Sequence, residues 1–200
     1  MVFVYFKRMA QVSFAAHVMA VDRVEKRLRT VTAALNAEGI AYAVIGGNAV
    51  AAWVGRADPS ATRATKDVDL LVQRRDLDRI TATLTKAGFL RQDLRDLTLF
   101  IDPAEPSKRS GIHLVWAGER VRPSYPAPAP SVSEAVRDPE GFFVLSLAAL
   151  VRMKLTSFRD IDRVHVGDLL SVGLINAAVR DTLSPELRSR LEQVERSQAE

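Results

Sequence analysis

The chain of 200 residues is 48% hydrophobic and 26% charged, a composition that argues against disorder for most of its length. It contains no cysteine, which excludes a disulfide framework, a zinc–thiolate site and a cysteine nucleophile, and fits a cytoplasmic location. The net charge of +4 permits a nucleotide partner. However, acidic residues are interleaved with the basic ones, so no dense nucleic-acid-binding surface is indicated.

The first 20 residues resemble a secretory signal only poorly. Lys7 and Arg8 precede a mostly apolar stretch that Gln11 and His17 interrupt, so we expect an N-terminal extension rather than an exported leader. No run of about 20 apolar residues occurs in the chain, and no membrane-spanning helix is expected.

Residues 21–121 alternate between helical and strand patterns, which predicts an α/β (α+β) core built on a mixed β-sheet flanked by helices. Val24, Leu28, Val31 and Leu35 recur at helical spacing before Gly39, so a helix is predicted over 21–38. The elements predicted after it are a strand at 41–45, a helix at 48–54, a loop at 55–65, a strand at 67–72, a helix at 75–87, and strands at 97–101 and 111–116.

Prolines crowd residues 122–130. Because proline fixes φ and cannot donate a ladder hydrogen bond, we expect an extended connector over 122–140. Helical patterns at 145–158, 162–170 and 186–197 then predict a helical C-terminal segment, 141–200. Its charges alternate in sign between Arg159 and Asp168, which is typical of ion-paired helix ends, and His165 within that stretch is assigned a structural or solvated role.

Asp67 and Asp69 lie two residues apart in a strand pattern. Side chains alternate along a strand, so both carboxylates project from the same face and can converge on one ion. Paired carboxylates plus substrate phosphates are a favoured environment for Mg²⁺. The alternative is a solvated D-x-D pair at a strand end.

Gly46 and Gly47 form a turn between a strand and a helix. Without Cβ atoms they let backbone N–H groups approach an anion, and the N-terminus of the following helix adds its positive dipole. We expect positive φ at Gly47. The alternatives are a plain turn for the glycines and a helix-capping role for Asn48.

These features occur together and in order, as Tyr42-Ala-Val-Ile-Gly-Gly-Asn-Ala-Val-Ala-Ala-Trp53 and Arg63-Ala-Thr-Lys-Asp-Val-Asp-Leu70. The pair resembles the polymerase-β-like nucleotidyltransferase superfamily, whose signature is a strand, a G-G or G-S turn, a helix and a strand carrying D-x-D. The R-x-T-x-D-V-D-L form is similar to small bacterial AbiEii-type toxin nucleotidyltransferases and their uncharacterised relatives. The resemblance covers Ala41 to Trp116, and more loosely Ser146 to Leu170.

The resemblance assigns roles to individual residues. It makes Gly46 and Gly47 the triphosphate turn and Asp67 and Asp69 the metal ligands; Asn48, by its position beside the turn, is a candidate phosphate contact. Two further contacts to the nucleotide are implied: Arg63 as a phosphate or substrate contact, and Lys154 as a helix lysine facing the nucleotide. A solvent-facing position is the alternative for Lys154.

His113 stands where family members carry a third carboxylate. Neutral imidazole is a poor Mg²⁺ ligand compared with oxygen, so either the metal site differs or the general-base role has moved. We expect His113 to share the cleft with the two aspartates, and a solvent-facing or core histidine is the alternative. Asp102 could substitute for the missing carboxylate, although a turn aspartate is the simpler interpretation.

The resemblance therefore implies a Mg²⁺-dependent nucleotidyltransferase that moves a nucleoside monophosphate from a nucleoside triphosphate to an acceptor and releases pyrophosphate. Because no motif identifies the acceptor, tRNA, a protein side chain and a small molecule all remain open. The alternative is a catalytically weak or inactive nucleotide-binding module or toxin–antitoxin partner.

Overall fold

A computed structural model of the chain describes residues 14–95 and 97–199. The first 13 residues of the predicted N-terminal extension lie outside the described residues, whereas its last part already belongs to the first helix. The helices are α1 (Phe14–Ala37), α2 (Gly46–Ala57), α3 (Leu77–Lys86), α4 (Leu147–Ser157), α5 (Asp160–Ser171), α6 (Ala177–Asp181) and α7 (Pro185–Ala199). None of these helices combines the length and the hydropathy needed to cross a lipid bilayer.

The described strands form one mixed sheet of seven, in the order β3-β4-β5-β2-β1-β7-β6. The strands are β1 (Tyr42–Ile45), β2 (Val68–Val72), β3 (Leu90–Leu94), β4 (Leu97–Ile101), β5 (Ile112–Trp116), β6 (Ala135–Arg137) and β7 (Phe143–Leu145). β2 pairs antiparallel with β1 and parallel with β5, and β1 pairs parallel with β7. The predicted mixed α/β fold with a helical C-terminal segment is confirmed.

The centre of the sheet is buried because its strands are rich in β-branched and aliphatic residues. All four residues of β1 are buried, and Asp69 is the one residue of β2 that is not. Strands covered on both faces read as continuous apolar runs, so a half-buried carboxylate in the middle of such a strand marks an opening in the fold.

The helices cover this sheet in packed groups. α1 packs on α3, α2 packs on α5, and α7 packs on both α4 and α5. The apolar stripe predicted for α1 faces the core, where Val24, Val31 and Leu35 are buried. The α2–α5 contact matters most for function, because it brings the C-terminal helices against the glycine turn.

The structure adds strands that the sequence pattern did not predict. β3 is polar and mostly exposed, and β6 lies inside the predicted connector, whereas β7 follows it. The connector therefore returns the chain to the same sheet, and β7 pairs with β1 at Val44 and Val144.

Candidate active site

The strand register brings the predicted site residues to one place. Asp69 on β2 lies opposite His113 on the parallel strand β5, and opposite Ile45 at the end of β1 on the other side. Asp67 immediately precedes β2. By alternation Asp67 and Asp69 share one face of the sheet, and the in-register pairing puts His113 on that same face.

Asp67, Asp69 and His113 form a compact cluster of half-buried side chains. His113 Nδ1 lies 3.2 Å from Asp69 Oδ1 and 3.7 Å from Asp67 Oδ2. One ligand atom from each residue falls within 4.8 Å of the others, a spacing suited to a single metal ion. The expectation that His113 shares the cleft with the aspartates agrees with this geometry.

Both nitrogens of the His113 ring face acceptors. Nε2 lies 2.8 Å from the Lys108 carbonyl oxygen, to which it must donate, and Nδ1 faces the Asp69 carboxylate. A proton on each nitrogen satisfies both contacts, so the arrangement favours the imidazolium. The Asp69 hydrogen bond raises the pKa of His113 against the opposing effect of burial, and the charge of both aspartates adds to the rise.

The glycine turn lies directly against the carboxylates. Gly46 has φ of +67°, and a Cβ there would overlap the Asp69 carboxylate, with Asp69 Cγ only 2.8 Å away. The expectation of positive φ at Gly47 is therefore wrong, because Gly46 carries it. A Cβ at Gly47 would instead lie 2.9 Å from Thr65 Oγ1. Both glycines permit a close approach that no other residue allows.

Two polar side chains fix the first aspartate. Thr65 Oγ1 donates to Asp67 Oδ1 at 2.9 Å, and Asn48 Nδ2 donates to the Asp67 carbonyl oxygen at 2.7 Å. Asn48 does not cap α2, whose N-cap position is Ile45. Its bond instead ties the first turn of α2 to the start of β2. The sequence analysis missed Thr65, which lies in the predicted loop 55–65, and only its closeness in sequence to Asp67 could have indicated it.

A cleft of about 580 Å³ opens in front of this cluster. Gly46, Gly47 and the Asp67–Asp69–His113 group form its floor. One wall comes from the proline-rich connector and the other from α4 and α5. This volume lies within the range of about 300–1,000 Å³ that is typical of small-molecule sites.

Lys154 lies in the α4 wall, but it is neither solvent-facing nor free. Its side chain is buried and its Nζ donates to Asp162 Oδ1 at 3.1 Å. Asp162 Oδ2 also accepts from Ser157 Oγ and from Arg159 Nε, each at 2.7 Å. Burial raises the pKa of Asp162, but the Arg159 hydrogen bond and the Lys154 charge more than offset it and leave the pKa at about 2.

The predicted ion pairing between residues 159 and 168 is confirmed by these contacts and by the Arg163–Asp160 pair. His165, which the sequence reasoning assigned no site, also lines the cleft. Burial and the nearby Lys154 charge lower its pKa to about 4, so the ring is neutral near physiological pH.

Two residues named from the sequence lie elsewhere. Arg63 Nε donates to both carboxylate oxygens of Asp168, at 2.9 and 2.8 Å, and it is not among the residues that line the cleft. Asp102 Oδ1 accepts from the Ala104 backbone N–H at 2.8 Å, as a turn aspartate does. It takes no part in the carboxylate cluster.

The ligand atoms of this cluster fit a divalent cation, although they are not all oxygens. Two carboxylates supply the hard oxygen ligands that Mg²⁺ takes, and their side chains are only 34% and 25% exposed. The third candidate ligand is a nitrogen, and imidazole suits transition ions such as Zn²⁺ better than Mg²⁺. Any ion bound there must displace the proton from His113 Nδ1 or leave the imidazole outside its coordination shell.

The fold is shared with solved structures of known proteins. The solution structure of the antibiotic-resistance factor ANT(2'')-Ia superposes with a TM-score of 0.54 at 16% identity, covering 90% of this chain and 94% of that protein. The crystal structure of ANT(2'')-Ia in complex with adenylyl-2''-tobramycin gives 0.51 at 17% identity, covering 90% and 99%. Neither a protein-family model nor a curated protein sequence matches the chain. These likenesses show a shared fold, and the polymerase-β-like nucleotidyltransferase resemblance and the narrower AbiEii-type assignment stay predictions.

Proposed function

We propose that the protein is a metal-dependent nucleotidyltransferase that transfers a nucleoside monophosphate to an acceptor hydroxyl. One observation carries the proposal: two carboxylates and a histidine converge within 4.8 Å beside a glycine turn that opens a helix. This combination provides a cation site and an anion site side by side, which a nucleoside triphosphate requires.

The triphosphate is held by backbone and positive charge. The Gly46–Gly47 turn and the N-terminus of α2 receive phosphate oxygens through N–H groups. Lys154 and Arg159 line the same cleft. Both side chains already donate hydrogen bonds to Asp162, so a phosphate must compete with that carboxylate for their donors. Their main contribution is therefore the positive potential that they add to the cleft.

The reaction joins the acceptor oxygen to the α-phosphorus and breaks the bond between that phosphorus and the bridging oxygen, so pyrophosphate leaves. Asp67 and Asp69 would hold the divalent ion, which when bound neutralises charge on the phosphates. If the imidazole stays outside the coordination shell, His113 without its Nδ1 proton would accept the proton that the hydroxyl releases, since one nitrogen cannot be ligand and base at once.

The acceptor is best sought first among small hydroxyl-bearing molecules. ANT(2'')-Ia, which shares the fold, binds adenylyl-2''-tobramycin, and the cleft here has the volume for a ligand of drug size. Aminoglycosides and other amino sugars are therefore the first compounds to test, followed by tRNA and protein.

The first experiment needs no acceptor. Calorimetry with a non-hydrolysable nucleoside triphosphate analogue measures affinity with and without Mg²⁺ or Mn²⁺. We expect Asp67→Asn and Asp69→Asn to lose the metal-dependent part of binding. Asp160→Asn serves as the matched control, because the Asp160 side chain is 94% exposed, and it should bind as the wild type does. Equal affinity in all four proteins would contradict the proposed site.

The second experiment follows transfer of an α-labelled triphosphate into acceptor pools, with pyrophosphate release as the readout. One observation favours a weaker alternative, a nucleotide-binding module without turnover: His113 stands where the resemblance implies a third carboxylate, and its Nδ1 lies 3.2 Å from Asp69 Oδ1 and 3.7 Å from Asp67 Oδ2. Metal-dependent binding without pyrophosphate release from any pool would support that alternative over the transferase.

A further inference from the structure

A second cavity, of about 270 Å³, lies outside the cleft, between α1 and the loop that precedes β5. Arg23 and Arg27 on α1 form one side, and Lys66 and Arg109 contribute further positive charge. We call this cavity the anion pocket. Its volume is just under the range of about 300–1,000 Å³ of sites for drug-sized ligands, which suits one small charged group.

Arg27 occupies an unusual position. It falls on the core-facing stripe of α1 between Val24 and Val31, and only 5% of the residue is exposed. Arginine is almost never buried to this degree unless it is paired. Here the pairing is incomplete: Nη2 donates to Glu105 at 3.2 Å, whereas Nε and Nη1 have no hydrogen-bond partner within the described part of the chain.

The charges around Arg27 do not balance. Among the described residues, four basic side chains line the pocket against the single carboxylate of Glu105, and Arg23 shares that carboxylate at 3.5 Å. Buried donors without acceptors are costly. An anion in the pocket would offset the surplus of positive charge, which a water molecule cannot do.

We propose that the anion pocket is a second anion site, separate from the triphosphate turn, that takes a phosphate group. Arginine clusters favour phosphate because the guanidinium donates charge-assisted hydrogen bonds to several oxygens at once. The phosphate arrives either as the free ion or as the monoester of a small phosphorylated molecule.

The anion pocket adjoins the candidate active site through shared backbone. Lys66 precedes Asp67, and the loop that carries Arg109 also supplies the Lys108 carbonyl that fixes His113. Occupation of the pocket would therefore hold the loop that positions His113. Phosphate binding itself needs neither nucleotide nor transfer, so its test is independent of the proposed function.

The test is calorimetric titration of the full chain with inorganic phosphate, with glucose 6-phosphate, and with glucose as the uncharged control. Arg27→Met keeps the aliphatic stem and removes the guanidinium. Arg29→Met is its matched control, since Arg29 lies on the same helix but is 56% exposed and pairs with Glu25 and Glu140. Arg109→Ala, an exposed member of the pocket, carries the test if Arg27→Met does not fold.

We expect saturable binding of phosphate, weakened about tenfold or more in Arg27→Met and several-fold in Arg109→Ala, with Arg29→Met unchanged. Tighter binding of inorganic phosphate identifies the free ion as ligand, and tighter binding of glucose 6-phosphate identifies a monoester. The proposal is overturned if wild-type protein binds neither anion saturably. It is equally overturned if binding survives both pocket substitutions and is lost in Gly47→Val, because the phosphate would then occupy the triphosphate turn.

Discussion

Replacing Gly46 by alanine tests whether the turn positions Asp69. The new Cβ meets two obstacles. Left-handed backbone, here φ of +67°, costs a non-glycine residue about 1–2 kcal/mol. In addition, the Cβ would overlap the Asp69 carboxylate, with Cγ at 2.8 Å and Cβ at 3.0 Å. Because the Asp69 Cβ itself is close, rotation of the carboxylate alone relieves only part of the overlap.

Gly39→Ala is the matched control for this variant. Gly39 has φ of +60°, and apart from its chain neighbours no atom of the described residues lies within 4 Å of the position a Cβ would take, so it carries the backbone cost alone. We expect Gly39→Ala to lose about 1–2 kcal/mol of unfolding free energy, equivalent to about 2–8 °C in Tm, and Gly46→Ala to lose more, because the overlap with Asp69 adds to the backbone cost. Only Gly46→Ala should also weaken Mn²⁺ binding, by about tenfold or more.

Thermal melts and Mn²⁺ titration by electron paramagnetic resonance measure the two effects separately. A Gly46→Ala variant with the same Tm as Gly39→Ala and with wild-type affinity for Mn²⁺ would refute this prediction. In that case the close approach of Gly46 to Asp69 would have no bearing on the metal ligands.

Three further predictions concern the cleft. His113→Asp supplies a third oxygen ligand, so the affinity for Mg²⁺ should rise, both in absolute terms and relative to Mn²⁺, in a competition titration. An unchanged ratio of the two affinities would place His113 outside the coordination shell. Asp162→Asn leaves Lys154 buried without its counter-charge and should lower the free energy of unfolding in urea by about 3–5 kcal/mol, whereas Asp160→Asn, at an exposed position, should be near neutral. Similar losses in both variants would contradict a special role for the buried pair. The pKa of His165 is lowered from 6.5 to about 4 in the folded protein, so between pH 6.5 and 4 the unfolded chain binds a proton that the folded chain does not. The free energy of unfolding should therefore fall by up to about 3 kcal/mol as the pH drops from 6.5 to 4. The raised pKa of His113 has the opposite effect on stability. The pH dependence of the unfolding free energy should therefore be compared in His165→Gln, where the loss on acidification should be smaller. An unaltered pH dependence in this variant would refute the assignment to His165.

The candidate site could be predicted largely from local rules. The carboxylate pair follows from the period of two along a strand, and the turn follows from two adjacent glycines after an apolar run. The placement of His113 required a register that local pattern does not contain. That placement was predicted only from the resemblance. In the structure, the pairing of β2 with β5 sets His113 opposite Asp69.

Other parts of the fold could not be predicted because their causes lie in a neighbouring element and not in the local pattern. β3 has a polar, exposed sequence that reads as a loop, and it is a strand only because β4 pairs with it along its whole length. The partner of Lys154 lies eight residues away on the next helix. No helical spacing within α4 indicates Asp162, so the sequence could offer only a nucleotide-facing or a solvent-facing lysine.

The parallel pairing of β1 with β7 has a consequence for synthesis of the chain. Val44 pairs with Val144, so one edge of the buried strand that ends at the glycine turn stays open while the intervening 100 residues are made. At about 5–20 residues per second, that interval is roughly 5–20 s. During it the nascent chain displays an unpaired, fully apolar strand edge, the feature that recruits chaperones or neighbouring chains. Slowed translation before residue 145 should therefore lower the yield of soluble protein more than the same delay placed after it.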